Sequence, residues 1–333
     1  MRIKREVIIA ALILLIMGVL GAYGFFNSRT LDFEGDPNQV LATKTPKIEE
    51  VVLLFTGDIM LDRTVKKQVM DVGAGDWRFP FMRIAEYLRS ADITMANLEG
   101  PVSARGTQVG SIYSFRFDPE SLEGLIYAGF DLVTLANNHI WDYGQQAFLD
   151  TMKHLTDSGI SFVGAGNNFE QAHAGITKTV KNTRITFLSY TDLLSKQFSA
   201  TATKAGINFL DLEQMTKDIQ AAKARSDIVV VNIHKGDEYH TNHNADQEKF
   251  YKAAIDAGAD LIVGHHPHVV QELEQYKQSW IAYSIGNFIF DQYFSEETMQ
   301  GAILRVTLVN KKIKTVELVP INISPISQPY LAQ

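Results

Sequence analysis

The chain has 333 residues, of which 46% are hydrophobic and 21% are charged; this composition is typical of a folded protein and excludes a disordered or fibrous chain. It contains no cysteine, which excludes disulfides, iron–sulfur clusters and thiol nucleophiles, so a metal ion must be held by histidine, carboxylate or amide groups. The net charge of −7 argues against a general nucleic-acid-binding protein, and we expect no nucleic acid among its partners.

The amino-terminal segment has the pattern of a membrane anchor followed by a linker. Residues 1–6 are rich in basic residues and form the predicted cytoplasmic stub. Residues 7–26 carry no charge and are long enough to cross a bilayer, which predicts a single-pass transmembrane signal anchor with the main domain extracellular. The alternative is a signal peptide that is cleaved near the small residues at 22–24. Residues 27–49 are predicted to be a linker.

From residue 50 onward, short apolar runs alternate with amphipathic stretches, a pattern typical of an α/β domain with a partly parallel sheet. The predicted strands are Val51–Phe55, Asp92–Ala96, Leu132–Ala136, Ile228–Ile233, Leu261–Val263 and Trp280–Ile285. The predicted helices are Phe81–Ser90, Gln145–Ser158, Leu212–Arg225 and Ala245–Ala257. Ala302–Val309 and Ile313–Ile321 predict a β-hairpin. We therefore expect one domain over residues 50–323 and an irregular tail over residues 324–333.

Polar residues that can bind metal ions follow the predicted strands. Ligands bind beyond the carboxyl ends of strands in open α/β sheets, so these residues are expected to meet. They are Asp58, Asn97, Glu99, Asn138, His139, His234, His265, His266, His268 and Asn287, which include five of the nine histidines. Imidazole, carboxylate and amide oxygen suit manganese, zinc or iron, and a carboxylate can bridge two such ions. A neighbouring histidine can then protonate a leaving group.

Most of these positions also have a purely structural explanation. Asp58 can cap the helix that follows it, and Asn138 and Asn287 can shape turns. A lone histidine such as His234 is more often a satisfied core residue than a ligand. Three imidazoles between residues 265 and 268 are harder to explain by packing, so the group as a whole favours a metal site.

The motifs together resemble the bacterial capsule-synthesis protein CapA family, which is associated with poly-γ-glutamate synthesis and export. The matching segments are Thr56–Arg63, Ala96–Pro101, Ala136–His139 with Asp142 and Gly144, Gly164–Gly166, Ile233–Tyr239, Gly264–His268 and Tyr283–Asp291. That family in turn resembles the calcineurin-like metallophosphoesterases. The resemblance implies a metallophosphatase-like four-layered α/β/β/α sandwich with a two-metal site, preceded here by the transmembrane helix.

The same resemblance assigns roles to individual residues. It implies His139 as the catalytic acid, and as metal ligands it implies Asp58, Glu99 (in the bridging position), Asn138, His234, His266 and His268. His265 is the alternative if the register of the last motif differs by one residue. The first motif of the phosphoesterases has a histidine where this chain has Met60, so Asp62 is the candidate replacement ligand. Asn97 and Asn287 are further candidates.

The resemblance implies a membrane-anchored extracellular protein of capsule polymer biosynthesis, in which metal-activated water attacks an amide or ester bond. Its expected partners are poly-γ-glutamate or another anionic surface polymer, the subunits of a membrane synthase, and the lipid bilayer through residues 7–26. Because the net charge is negative, contacts with a polyanion must be local, and Arg63 and Lys235 are candidates. Glu238 can act as a base or contact a substrate ammonium, or be a solvated acid. The alternative functions are a metallophosphoesterase acting on a cell-surface phosphodiester and a non-catalytic subunit that guides polymer export.

Overall fold

The computed structural model describes residues 49–109 and 112–332. The predicted stub 1–6, the predicted anchor 7–26 and nearly all of the predicted linker 27–49 lie outside these residues. Within the described part of the chain, no helix is both long enough and apolar enough to cross a membrane.

Strands and helices alternate along most of the described chain. The strands are β1 (Glu50–Ile59), β2 (Ile93–Leu98), β3 (Leu132–Thr134), β4 (Ser161–Val163), β5 (Ala165–Gly166), β6 (Ile176–Val180), β7 (Thr183–Thr191), β8 (Gly206–Ile207), β9 (Ile228–His234), β10 (Leu261–His265), β11 (Leu273–Tyr276), β12 (Ser279–Ala282), β13 (Asn287–Ile289), β14 (Gln300–Val309), β15 (Lys312–Ile323) and β16 (Pro329–Leu331). The helices are α1 (Arg63–Asp71), α2 (Ala85–Leu88), α3 (Leu122–Ala128), α4 (Gly144–Asp157), α5 (Phe169–Ala174), α6 (Leu212–Lys223) and α7 (Ala245–Ala257).

The strands form two large sheets. In the first, the order is β16–β15–β14–β1–β2–β3–β4, and β13 pairs with the end of β1. Strands β1 to β4 run parallel to one another, whereas β14, β15 and β16 add antiparallel pairs at the other edge. In the second sheet, the order is β11–β12–β10–β9–β7–β6, with parallel strands at its centre. Strands β5 and β8 form a separate small antiparallel pair.

The two sheets pack face to face, and helices cover both outer faces. Because successive strand residues point to opposite faces, Leu53 and Phe55 of β1 pack towards the second sheet, among residues such as Val230 and Val263. Leu54 points the other way and packs with residues of helices α1 to α4. Alternate residues of β9 contact helices α6 and α7 in the same manner. These three apolar layers produce the helix, sheet, sheet, helix order that the resemblance implies.

Most predicted elements are confirmed, and the differences have local causes. The predicted helix Phe81–Ser90 is reduced to α2 after a short 3₁₀ turn at Phe79–Phe81, because Phe81 and Ile84 donate to carbonyls three residues back. The predicted strand Trp280–Ile285 is shorter and ends at Ala282.

The C-terminal segment, which we expected to be irregular, contains strand β16. The chain reverses at residues 324–328, where the Ser324 N–H donates to the Gln328 carbonyl at 3.0 Å, and returns along the free edge of β15. Pro329 begins this edge strand, a position where a missing N–H is tolerated.

Candidate metal centre

The carboxyl ends of both sheets meet at one place in the molecule. Asp58 near the end of β1 pairs with Asn97 of β2 in the first sheet, and His234 of β9 pairs with His265 of β10 in the second. Across the two sheets, Asp58 Oδ1 lies 3.4 Å from His265 Nδ1. The sheet packing therefore brings together residues that are more than 170 positions apart in sequence.

Among the described residues, two groups have the composition and spacing of metal ligands. In one, the ligand atoms of Asp58, Glu99 and His234 all lie within 4.8 Å of one another, and in the other the same holds for Glu238, His266 and His268. Every member of the two groups is buried except Glu238, which is exposed. The groups adjoin, because His268 Nδ1 lies 3.3 Å from Asp58 Oδ2 and His268 Nε2 lies 3.8 Å from Glu99 Oε1.

Two asparagines join the first group. Asn138 Oδ1 lies 2.8 Å from His234 Nε2, which places this predicted ligand beside the first group. Asn97 donates from Nδ2 to Asp58 Oδ1 at 2.8 Å and lies 3.2 Å from Glu99 Oε2, which holds the two carboxylates side by side. Asn137 donates in turn to Asn97 Oδ1 at 3.1 Å and fixes its orientation. Asn97 thus orders the two carboxylates. The side chain of Asn138 contacts His234, so Asn138 does more than shape a turn.

The charges in this cluster suit a divalent cation. Burial opposes the charge of Asp58, but the adjacent imidazoles of His265 and His268 outweigh it, and the pKa of Asp58 lies well below its ordinary value. Burial and the charge of Asp58 raise the pKa of Glu99 well above its ordinary value. Burial lowers the pKa of His234, and it lowers the pKa of His266 to about 3. His234 and His266 are therefore neutral, which is the form of imidazole that binds metal ions.

Several buried ligand atoms also lack a hydrogen-bond partner within the described structure. They are Glu99 Oε1, His266 Nδ1 and both ring nitrogens of His265. Polar atoms that are buried without a partner are costly, and an orphaned carboxylate oxygen beside orphaned imidazole nitrogens is unusual. A bound divalent cation would satisfy these atoms and offset the repulsion between the carboxylates, so the residues present fit such an ion.

His139 lies beside the ligand groups and is held by Asp142, which belongs to the same matching segment but had no role assigned to it from the sequence. Its Nδ1 lies 2.7 Å from Asp142 Oδ2, and the same oxygen accepts the Phe115 N–H at 2.9 Å. The Phe115 ring packs against the imidazole with centroids 4.2 Å apart. His139 Nε2 is directed inward, 3.9 Å from Glu99 Oε1. The spacing of three residues between His139 and Asp142 was the available sequence signal for this pair.

A cleft of about 550 Å³ opens beside His139 and His268. Arg63 lies in its wall, where it pairs with Asp291 (Nε to Oδ2 is 3.1 Å) and packs over the Phe115 ring at 4.8 Å. The cleft is rich in aromatic side chains, namely Tyr113, Phe115, Tyr239, Phe290 and Phe294. The structure thus places Arg63, a predicted substrate contact, next to the candidate centre.

Lys235 does not reach the cleft. Its ammonium lies 2.6 Å from Asp192 and 2.5 Å from Asp246, and the residue is 6% exposed. Burial opposes this charge, but the two carboxylates outweigh it, so the pKa of Lys235 lies above its ordinary value. The structure thus pairs Lys235 with two carboxylates outside the lining of the cleft, and a substrate contact through Lys235 stays a prediction.

Two of the remaining candidates have supporting roles. Asp62 caps helix α1, since its carboxylate accepts the N–H groups of Arg63 and Arg116, each at 2.8 Å. The helix cap that we considered for Asp58 is thus provided by Asp62, and both oxygens of Asp62 are engaged away from the ligand groups. Asn287 Oδ1 lies 3.0 Å from His268 Nδ1 and orients that ring.

Comparison with known proteins gives a consistent result. Residues 52–292 match the family model described as bacterial capsule synthesis protein PGA_cap. The chain is 34% identical over 292 residues to the capsule biosynthesis protein CapA of Bacillus anthracis, covering 85% of this chain and 70% of that protein. It is 33% identical over 303 residues to the PGA biosynthesis protein CapA of Bacillus subtilis strain 168, covering 87% and 79%. A solved structure of a phosphatase from Mycoplasma pneumoniae superposes with a TM-score of 0.51 at 16% identity, covering 83% of this chain and 94% of that one. At this identity the likeness concerns the mixed α/β fold alone.

Proposed function

The chain belongs to the bacterial capsule synthesis protein family, and from this membership we propose that it acts in the biosynthesis of poly-γ-glutamate or a related capsule polymer. Its proposed reaction is metal-dependent hydrolysis or transfer at an amide or ester bond of the polymer or of its anchor. The observation that carries this proposal is the pair of adjoining ligand groups beside His139 and Asp142 at the base of an open cleft.

The proposed centre holds two divalent ions, with manganese, zinc and iron as the candidates that its donor atoms suit. The ligands are Asp58, Glu99, Asn138, His234, His266 and His268. When bound, such ions supply Lewis-acid chemistry that activates water and polarises the bond to be cleaved.

The chain supplies proton transfer through His139. Because Asp142 accepts the Nδ1 proton, the Nε2 atom is the one that faces the ligand groups. A protonated His139 can give its Nε2 proton to the leaving atom, which lowers the cost of breaking the bond. Phe115 covers one face of the ring and keeps it in this orientation. Arg63, fixed by Asp291, offers a positive charge in the wall of the cleft for an anionic substrate.

We also propose that residues 7–26 anchor the chain in the cell membrane, with its amino terminus in the cytoplasm and its main domain outside. The basic residues at positions 1–6 support this orientation. In this location the domain would meet the anionic polymer and the membrane subunits that synthesise it.

The function is tested with the full-length chain purified in detergent. Its metal content is measured by elemental analysis, and poly-γ-glutamate is then incubated with it in Mn²⁺ or Zn²⁺ while polymer mass and new amine ends are followed. We expect cleavage that falls at least ~100-fold in His139→Ala, with the metal content retained. His154→Ala, in helix α4 and outside the cleft lining, is the matched control. Undiminished cleavage by His139→Ala would contradict the proposed role of His139.

A second candidate is hydrolysis of a cell-surface phosphodiester, which the shared fold with a phosphatase favours. The same preparation assayed on a phosphodiester dye separates the two reactions. A metal-loaded protein that cleaves neither substrate would instead support a non-catalytic role in polymer export.

A further inference from the structure

Strand β1 contributes a single carboxylate to the centre. At the position where the resemblance leads one to expect a histidine, the chain has Met60, which is fully buried and accepts the Asp62 N–H at its sulfur at 3.2 Å. Asp62 itself caps helix α1. Of Asp58, Met60 and Asp62, only Asp58 faces the ligand groups. If the centre is to hold two ions, one protein ligand must therefore come from an element other than β1 and the loop after it.

The loop that follows β9 delivers a carboxylate to the group that contains His266 and His268. Glu238 lies within 4.8 Å of the ligand nitrogens of both His266 and His268, and it lines the cleft together with His268. It is the exposed member of an otherwise buried set, so it closes the group on the side that faces the cleft.

The backbone around Glu238 is fixed to the turn that carries both histidines. The Tyr239 N–H donates to the Pro267 carbonyl at 2.8 Å, and the Tyr239 ring stacks over His268 with centroids 6.0 Å apart. One residue further on, the His240 carbonyl accepts from Gln271 Nε2 at 2.7 Å. Tyr239 adopts a φ of 65°, an uncommon value for a residue with a side chain, and these contacts maintain it. The loop is therefore built to hold Glu238 against the imidazoles.

The neighbouring acid points elsewhere. Asp237 Oδ2 accepts from the Asn244 side chain at 2.8 Å, at the start of helix α7. Asp237 thus belongs to the helix cap region, whereas Glu238 belongs to the centre, although the two are adjacent in sequence.

The charge of the site also favours a cation next to Glu238. Asp58 and Glu99 are fully buried carboxylates whose oxygens lie 3.3 and 3.8 Å from ring nitrogens of His268, which shares a ligand group with Glu238. Among the described residues that line the cleft, Arg63 is the only lysine or arginine, and it is paired with Asp291. Like charges that converge without a counter-ion are costly, and divalent ions at this point remove that cost.

We propose that Glu238 is a ligand of the second metal ion and provides, from the loop after β9, the protein donor that is missing at Met60. This inference rests on the metal centre of the proposed function. A carboxylate in place of an imidazole shifts the donor set towards oxygen, which favours Mn²⁺ relative to Zn²⁺ at this position. Because Glu238 is exposed at the cleft, its ion is also the one that exchanges more readily with the solution.

The test uses the full-length chain in detergent, stripped with a chelator and titrated with Mn²⁺ by calorimetry, with bound metal measured after desalting. We expect two ions per chain in the wild type and about one in Glu238→Gln, with the dissociation constant of the weaker site raised at least ~10-fold. Asp237→Asn is the matched control and should keep two ions. Glu238→His should recover the second ion and bind Zn²⁺ better relative to Mn²⁺ than the wild type does.

The possible failures are distinguishable. Two ions of wild-type affinity in Glu238→Gln would overturn this inference and leave the metal centre intact. A wild-type chain that takes up no metal would overturn the metal centre and the inference together. Circular-dichroism melting of each variant verifies folding, and if Glu238→Gln unfolds, a Glu238→His variant that folds but holds one ion overturns the inference.

Discussion

In the metal-free protein, replacing Glu99 by glutamine should stabilise the fold. Glu99 is fully buried, and its carboxylate lies within 4.8 Å of that of Asp58. Burial and the Asp58 charge raise its pKa well above the ordinary value of 4.5. Glutamine has the same shape and keeps an oxygen to accept from Asn97, but it carries no charge to bury.

The size and the pH dependence of this effect follow from the geometry. Two unit charges 4.8 Å apart repel by about 3 kcal/mol at an effective dielectric constant of 20. A group whose pKa is raised by folding contributes stability that is present below its unfolded pKa and lost as the pH rises towards its folded pKa. The advantage of Glu99→Gln should therefore vanish near pH 4.5, grow by up to about 1.4 kcal/mol per pH unit above it, and reach about 3 kcal/mol near pH 7.

Urea unfolding and thermal melting of the full-length chain in chelator, between pH 4.5 and 8, measure this difference. At pH 7 the melting temperature of Glu99→Gln should exceed that of the wild type by roughly 5–10 °C. The exposed Glu86→Gln is the control and should show no shift. Saturating Mn²⁺ should reverse the order, since each site occupied at 100 times its dissociation constant adds about 2.7 kcal/mol to the wild type. A chelated Glu99→Gln protein that is less stable than the wild type at pH 7 would refute the reasoning.

Three further predictions concern the site and the orientation of the chain. Asp142→Asn should lower the rate of polymer cleavage about 100-fold at unchanged metal content, because His139 loses its orienting partner. A wild-type rate would show that the His139–Asp142 pair does not act in catalysis. Gly57→Ala should destabilise the fold by about 3 kcal/mol in urea unfolding, because the added Cβ would lie 1.8 Å from the Gly286 carbonyl oxygen. A variant as stable as the wild type would contradict this close approach. Ala202→Cys places a single exposed thiol in a cysteine-free chain. A membrane-impermeant maleimide should label this thiol in intact cells. Labelling only after lysis would show that the domain lies in the cytoplasm.

The composition of the site could be predicted from the sequence because parallel strands end at a common edge. Asp58, His234 and His265 each stand at the end of an apolar run, and strands β1, β9 and β10 do end there. What the pattern could not show is that these strands belong to two sheets. The contact of 3.4 Å between Asp58 and His265 depends on how the sheets pack, and residue spacing carries no record of that.

The functions of charged residues were harder to predict because their partners are distant in sequence. Lys235 was a candidate for a local contact with an anionic polymer, but its ammonium pairs with Asp192 and Asp246. Adjacent residues of a strand point to opposite faces, and this alternation continues past the end of β9.

The position of the centre between two sheets has a consequence for how the protein can bind its metals. One group of ligands comes mainly from the first sheet and the other from the turn after β10, so the distance between them is set by the apolar layer that joins the sheets. Phe55 and Phe187 meet in that layer with ring centroids 6.4 Å apart. Close-packed protein interiors transmit small displacements instead of absorbing them. A cavity there should therefore weaken metal binding as well as the fold, even though neither Phe55 nor Phe187 is itself a ligand. The metal affinity of the chain thus depends on the packing of its two sheets.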